Sequence, residues 1–258
     1  LPAVLPRLGW THPTYAARTL VAAAGEDNDP WPMLVDALEG REVPDEVRRL
    51  ATTTRRRIWS NLADQHKQVL RLLARFDLTA DDVTRVLDDE TAIELPLDEL
   101  LRNPYLLVTS TVDDDEPITF ATVDRGCFPD PALAAKHPLP IADPFDDAVD
   151  ARRVEAALTA VAAHAQEEGH TLLPVPQAIE RVENLVLAHP LSLNDTVLTG
   201  LGLTPYKLDG DPDATDRPLA RATLADGSHA YKLRSAIVRV HAINGFLDPL
   251  TDAPRHDV

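Results

Sequence analysis

The sequence predicts a mainly α-helical protein with one small β-hairpin near its end. Several segments repeat apolar residues at intervals of three and four, which is typical of helices with one buried face. One segment, Arg221–Leu233, instead shows two short extended runs around an Asp226-Gly227 turn, the pattern of a hairpin. With 258 residues, 44% of them hydrophobic, the chain is long enough to bury a core in a small number of domains.

Two short helices are predicted at the start of the chain. An alanine-rich helix over Tyr15–Ala24 follows a threonine cap and a proline, and it ends at Gly25. A loop over Asp27–Pro32 then leads to a helical turn over Met33–Leu38.

The strongest helical pattern covers Asp45–Phe76, where apolar and basic residues fall on opposite sides of a helix. The run Thr52-Thr53-Thr54 lowers helix propensity and offers an N-cap, so two helices with a break at this point are predicted. From Arg48 to Arg75 there are eight basic residues against one acid. The positive charge of a chain whose formal net charge is −17 is therefore concentrated here.

The charge reverses between Phe76 and Asp150, with four basic residues against nineteen acids. A helix over Leu78–Leu87 is predicted from a Thr79 cap, and another after Leu95 that stops at Asn103-Pro104. The acidic run Asp113–Glu116 predicts a solvated turn, and an apolar pattern resumes over Ile118–Phe128. Prolines make the segment up to Asp150 an irregular connection.

The last part of the chain is predicted to be three helices, a hairpin and a final helix. The segments are Arg152–Glu168, Pro176–Leu187, Leu193–Leu201, the hairpin Arg221–Leu233 and Ser235–Phe246, with a short extended piece at Thr171–Pro174. Three helices followed by a hairpin is the order expected of a winged-helix domain.

Motifs for bond chemistry are absent from the sequence. It contains no phosphate-binding G-x-x-x-x-G-K-[ST] loop, no H-E-x-x-H and no G-x-S-x-G, and its histidines are scattered singly. One cysteine, Cys127, excludes an internal disulfide and a multi-cysteine zinc site. Four consecutive acids such as Asp113–Glu116 rarely converge on one cation, which disfavours a metal site there. A third alternative, an acidic metal-dependent nuclease, needs a carboxylate constellation that these spacings do not provide. We predict no catalytic residue, no metal ligand and no cofactor in this chain.

No apolar run approaches the roughly 18 residues of a membrane span, and no leader pattern begins the chain, so a cytoplasmic protein without a membrane partner is predicted. The first residue is Leu1 rather than methionine, which suggests processing or a piece of a longer protein.

Three segments together resemble the N-terminal extension of RecD-like (exodeoxyribonuclease V alpha-like) superfamily 1 DNA helicases. They are Asn103–Leu107 with the acidic loop after it, Ile118–Gly126, and Glu168–Pro174. The resemblance implies degenerate tandem helix-hairpin-helix elements in residues 1–110, a third degenerate hairpin in 111–150, and a winged-helix-like domain in 151–258. It also implies a motor domain in cis after Val258, which would use ATP and Mg and work in DNA repair.

The expected partner is single-stranded or forked DNA, held at helix-hairpin-helix turns by backbone N–H groups. Leu8–Ala17 is similar to the first hairpin but retains only Gly9 of its glycine pair, and Thr52–Ile58 occupies the place of the second. The candidate DNA-binding residues are Gly9, Trp10, Thr11, His12, Arg49, Thr54, Arg55, Arg56, Arg57, Lys67, Arg71 and, on the hairpin, His229 and Lys232. Trp59 is a further candidate for base stacking. The alternative is a protein-protein docking module that does not contact DNA.

Overall fold

The computed structural model describes residues 1–25, 28–88, 95–145, 147–203 and 218–234. The chain divides into two compact units. The first unit comprises Leu1–Ala148 and Val186–Pro190, and the second comprises Val149–Leu185 and the chain from Leu191 onward. Helices dominate the described residues and a small antiparallel sheet accompanies them, so the mainly α fold class is confirmed.

The first unit is built from short helices. They are a 3₁₀ turn at Leu5–Leu8, then α1 Pro13–Ala24, α2 Pro30–Glu39, α3 Asp45–Leu50, α4 Thr53–Asn61, α5 Asp64–Leu73, α6 Ala80–Leu87, α7 Leu97–Arg102, α8 Leu106–Thr111, α9 Phe120–Cys127 and α10 Pro131–Lys136.

Helices α1 and α2 differ in detail from their predictions. α1 ends at Gly25 as predicted, but its N-cap is His12, without a side-chain capping hydrogen bond, rather than a threonine. Pro13 occupies the first helical position, which makes the residue before it the cap. α2 begins at Pro30, inside the predicted loop, because the Asp29 carboxylate accepts a hydrogen bond from the Trp31 N–H at 2.9 Å.

The segment Asp45–Phe76 forms three helices rather than the two predicted. The expected break is present: the Thr52 side chain caps α4 by accepting a hydrogen bond from the Arg55 N–H. A second break at Leu62–Ala63 separates α4 from α5, and Ala63 makes no side-chain cap. The local sequence gives no signal for that break, which is set by the packing of each helix: α4 buries Trp59 against Trp31, while α5 buries a separate apolar cluster.

Helix α6 has the predicted Thr79–Asp82 capping box, and α7 ends at Asn103 before the proline. The short helices α8 and α10 were not predicted, and for α9 only an apolar pattern was. In α8, the Thr111 hydroxyl donates to the Leu107 carbonyl and accepts from the Ile118 N–H, so a buried side chain links the helix to the chain beyond the acidic turn. Helix α10 lies in the proline-rich segment, where Asp130 caps it.

Helix α9 is fixed by two close contacts. The Tyr105 hydroxyl donates to the Asp124 carboxylate at 2.6 Å, and both side chains are buried. Gly126 lies against the Phe76 ring, so that a Cβ atom added at Gly126 would be 2.3 Å from Phe76 Cδ1. Only glycine allows this approach of α9 to the end of α5.

The second unit contains α11 Ala151–Glu167, β1 Leu173–Pro174, α12 Val175–Glu183, α13 Asp195–Gly200, β2 Leu219–Thr223 and β3 His229–Leu233. The strands form one antiparallel sheet in the order β1-β3-β2, with Leu173 opposite Tyr231 and Ala222 opposite Ala230. Apolar residues of α11, α12 and β3 form its core. The predicted hairpin is therefore present, and α12 is shorter than predicted. The helix predicted over Ser235–Phe246 lies outside the described residues.

No helix among the described residues is both long enough and apolar enough to cross a membrane.

Replacing Gly126 by alanine tests the contact with Phe76. We expect Gly126→Ala to lower the free energy of unfolding by about 1–3 kcal/mol because the added methyl overlaps the ring. Urea titration followed by tryptophan fluorescence measures this, since Trp10, Trp31 and Trp59 all lie in the first unit. In the control Gly200→Ala, where nothing lies within 4 Å of an added Cβ, circular dichroism should show no loss of stability. Equal stability of Gly126→Ala and wild type would contradict the contact.

The capping box of α6 predicts a pH-dependent contribution to stability. Burial alone would raise the pKa of Asp82, but hydrogen bonds from the Thr79 N–H, Arg85 and the Thr79 hydroxyl outweigh it and lower the pKa below 3.8. The ionised carboxylate is thus the stabilising form. Its contribution to stability is complete above the ordinary pKa and is lost as the pH falls through the lowered pKa of the folded protein. Asp82→Ala should cost about 1 kcal/mol at neutral pH and progressively less as the pH falls through the lowered pKa. Urea titrations beside the exposed-residue control Asp81→Ala test this, and a difference independent of pH would contradict it.

Candidate nucleic-acid interface

The first predicted hairpin is a turn after the 3₁₀ segment, and Gly9 makes it possible. Gly9 has φ +88°, a conformation that other residues rarely adopt, and a Cβ atom there would lie 3.0 Å from Ile58 Cδ1 on α4. Trp10 is only 4% exposed, while Thr11 and His12 are exposed. The turn therefore presents Thr11 and His12 to solvent and places Trp10 in the core, where its ring is not available for base stacking.

Arg55 connects the two predicted hairpin sites. Its Nε donates to the Gly9 carbonyl at 3.2 Å, and its Nη1 donates to the Leu50 carbonyl at 2.7 Å. The guanidinium carbon also lies 4.6 Å from the centroid of the Trp10 ring, a cation–π contact. Arg55 is thus a structural link between the Gly9 turn and the start of α4.

The neighbouring residues of α4 are placed differently. Arg57 and Thr54 are exposed, and Arg56 is half-buried, with its Nη1 3.5 Å from the position of a Cβ atom at Gly40. The Nε of Arg56 is buried and has no hydrogen-bond partner among the described residues. Among those residues, no carboxylate forms an ion pair with Arg55, Arg56 or Arg57. Three consecutive guanidinium groups are therefore uncompensated at the first turns of α4.

The other predicted cations of the first unit have partners. Arg49 is exposed, and its Nε donates to the Asp45 carbonyl at 3.2 Å. Lys67 pairs with Asp64 at 3.2 Å and lies 5.4 Å from the ring centroid of Trp59, which is 5% exposed. Arg71 has its nearest carboxylate, Asp29, at 4.0 Å. Each of these three cations is therefore partly neutralised or held.

Most other arginines of the first unit pair with carboxylates. The pairs are Arg7–Asp88, Arg41–Asp36, Arg41–Glu39, Arg48–Asp45, Arg85–Asp82, Arg85–Asp114 and Arg102–Asp98. The three arginines of α4 differ from these in having no carboxylate partner among the described residues.

The hairpin candidates lie in the second unit. His229 and Lys232 are half-buried residues of β3. The tip of the predicted wing Ala225–Leu233, the turn Ala225–Ser228, contains no lysine or arginine; its Asp226 carboxylate accepts hydrogen bonds from the Ser228 N–H and hydroxyl. Those bonds lower the pKa of Asp226. Helix α13 contains no basic residue either, so this face carries little that would attract phosphate.

The structure brings Gly9, Trp10 and Arg55 together, and it brings Lys67 to Trp59. Sequence reasoning did not select Arg75 and Arg125 as candidates. The Nε of Arg75, just after α5, donates to the carbonyl of Gly126 on α9, which is 51 positions away in the sequence. This hydrogen bond brings Arg75 close to Arg125, the residue before Gly126. No local pattern signals that approach, although the glycine of Asp124-Arg125-Gly126 hints at a close contact.

Within the part of the chain that the structure describes, no group of three or more metal-ligating side chains is found. Cys127 is buried and makes no disulfide.

Comparison with known proteins adds no relative: no family model, no curated protein and no solved structure matches this chain.

Replacing Arg55 separates its structural role from that of its neighbour. Arg55→Ala removes two hydrogen bonds from a charged donor and a cation–π contact, so we expect a loss of about 2 kcal/mol in the free energy of unfolding. Arg57→Ala, at an exposed position, should change it by less than about 0.5 kcal/mol. Urea titration with tryptophan fluorescence compares the two variants. Equal effects would mean that Arg55 does not hold the Gly9 turn.

Proposed function

We propose that this chain is the accessory N-terminal region of a RecD-like, superfamily 1 DNA helicase, and that its first unit engages the phosphate backbone of single-stranded or forked DNA. One observation carries the proposal: Arg55, Arg56 and Arg57 have no carboxylate partner among the described residues, in a chain of net charge −17. Cations that lack a carboxylate partner in an acidic protein make the local potential positive, and they therefore attract a polyanion.

The local structure around these arginines supports a phosphate contact. The N-terminus of α4 presents backbone N–H groups and the positive end of a helix dipole, next to the exposed Arg57. The Gly9 turn lies beside it, held by Arg55. Two adjacent turns that each begin a helix are the arrangement expected of degenerate helix-hairpin-helix elements, and such turns bind DNA without reading its sequence.

The order of elements in the second unit supports a winged-helix-like domain. Helix α11, strand β1, helices α12 and α13, and the hairpin β2-β3 follow one another, and the sheet order is β1-β3-β2. In the parent helicase, the motor domain would follow in cis and supply ATP and Mg chemistry for DNA repair in the cytoplasm. This chain would position DNA or brace that motor.

A second candidate function, protein docking, is favoured for the second unit. The tip of the wing, Ala225–Ser228, and α13 are surfaces that a winged helix presents to DNA, and here they carry Asp226 and Asp195 but no lysine or arginine, while Lys232 lies half-buried on β3. Such a surface repels phosphate and suits contact with a protein. The proposal therefore assigns DNA to the first unit and a protein contact, such as the motor, to the second.

Binding to a fluorescent single strand and to a forked duplex across a salt series tests the DNA proposal. The variant Arg56→Ala/Arg57→Ala removes two phosphate contacts without touching the structural Arg55. Because each contact contributes about 0.7 to the slope of log affinity against log salt on single strands, we expect the slope to fall by about 1.4.

The matched control is Arg41→Ala/Arg102→Ala, which removes the same charge from arginines that are already paired with carboxylates. This control should bind with nearly the wild-type slope. Equal losses in the two double variants, or no binding by wild type at low salt, would refute a specific DNA contact at α4 and leave docking as the function.

A further inference from the structure

A second basic site lies in the first unit, in a groove beside α5 and α9. The groove has a cavity volume of about 280 Å³. Its charged and titratable side chains are Arg71, Arg75, Arg125, His137 and a single carboxylate, Asp29, and the N-terminal ammonium of Leu1, which donates to the Ala74 carbonyl, also lines it. Three guanidinium groups against one carboxylate leave the groove positively charged, and none of these side chains belongs to α4.

Arg75 lies half-buried in the groove wall. Its Nε and Nη2 donate to the Gly126 carbonyl at 3.3 Å, and its Nη1 donates to the Pro138 carbonyl at 3.2 Å. These three hydrogen bonds use three of the five N–H groups of a guanidinium. Burial lowers the pKa of Arg75 and outweighs the opposing effects of Cys127 and Asp29, while the charge of Arg71 adds a smaller lowering. Arg75 is thus a cation whose charge is incompletely balanced.

Arg71 and Arg125 are the accessible arginines of the groove. The Arg71 side chain is 44% exposed and only loosely paired, because its nearest carboxylate oxygen in Asp29 is 4.0 Å away. The other oxygen of Asp29 is occupied by the Trp31 N–H. Arg125 is exposed and forms no ion pair with a described residue. Both side chains can turn toward an anion bound at Arg75.

An apolar cavity of about 510 Å³ adjoins this basic groove. Arg75, Pro129 and His137 line both cavities. Aromatic rings form much of the second one: Phe128 lies 5.0 Å from Phe145 and 6.1 Å from His189, measured between ring centroids. Apolar and aromatic walls beside a few charged groups are typical of small-ligand sites, and aromatic rings of this kind stack on nucleobases.

We propose that the two cavities bind one nucleotide, with its phosphate on Arg71, Arg75 and Arg125 and its base among Phe128, Phe145 and His189. The phosphate supplies the negative charge that the basic groove lacks, and the base supplies the flat apolar group that the second cavity accepts. The nucleotide is either free or part of a single strand, and the chemistry of recognition is the same. This site is independent of the arginines of α4 and does not require the proposed helicase function.

Calorimetric titration of the 258-residue chain with deoxyadenosine monophosphate, deoxyadenosine and inorganic phosphate tests the site. We expect the monophosphate to bind more tightly than deoxyadenosine or inorganic phosphate alone. Arg71→Ala and Arg125→Ala should each weaken it about tenfold, as expected for a lost hydrogen bond between charged groups. Both side chains are exposed, so these variants retain the fold, and circular dichroism checks this.

Two variants test the halves of the site separately. Asp29→Asn keeps the helix cap but removes the carboxylate that the described lining of the groove contains, so it should raise the affinity for phosphate and monophosphate. Ala134 is an exposed residue of α10 at the wall of the apolar cavity, and Ala134→Phe narrows that cavity. It should weaken the monophosphate and leave inorganic phosphate unchanged. Arg102→Ala, on a paired arginine elsewhere, should leave all titrations unchanged.

A short oligodeoxyadenylate distinguishes the source of the nucleotide. Displacement of the monophosphate by the strand, with the same loss in Arg71→Ala and Arg125→Ala, supports the site and assigns it to DNA. Binding of the monophosphate alone supports the site and assigns it to a free nucleotide. Absence of monophosphate binding, or binding unaffected by Arg71→Ala and Arg125→Ala, overturns the proposal. Arg56→Ala/Arg57→Ala should leave monophosphate binding unchanged, so failure of one proposal is separable from failure of the other.

Discussion

The contact of α9 with its neighbours is the constraint on which the basic groove of the first unit depends. The Tyr105 hydroxyl holds the buried Asp124, and Gly126 lets the Phe76 ring lie where any side chain would collide. Tyr105 lies in Asn103–Leu107, and Asp124 and Gly126 lie in Ile118–Gly126. These are two of the segments that resemble the helicase extension. Their role is therefore structural: they bring Arg125 to the groove wall that Arg75 occupies.

Charge balance then decides which cations are available to a ligand. Carboxylates pair with many arginines of the first unit, and backbone carbonyls hold Arg55 and Arg75 in place. Among the described residues, arginines without a close carboxylate partner include those at the first turns of α4 and those in the groove beside α9. In an acidic protein with two local basic sites, the negative charge elsewhere on the surface repels phosphate. A polyanion is therefore directed to the basic sites.

The sequence was informative where local chemistry decides the structure. The Thr79–Asp82 capping box, the Thr52 cap and the Asp226-Gly227 turn are local signals, and the corresponding elements lie where they were predicted. The break at Leu62–Ala63 has no cap, and only the separate packing of α4 and α5 explains it. The basic segment was visible in the sequence, whereas the groove was not, because Arg75 and Gly126 meet across 51 positions.

Photocross-linking tests most directly the claim that DNA contacts the first unit at its unpaired arginines. A single strand carrying iododeoxyuridine is irradiated with the chain, and the cross-linked peptides are identified by mass spectrometry. Cross-linked peptides are expected from the first unit, around α4 and the Gly9 turn. Their cross-linking yield should fall in Arg56→Ala/Arg57→Ala. Cross-links confined to the hairpin of the second unit, or a yield unaffected by that variant, would contradict it.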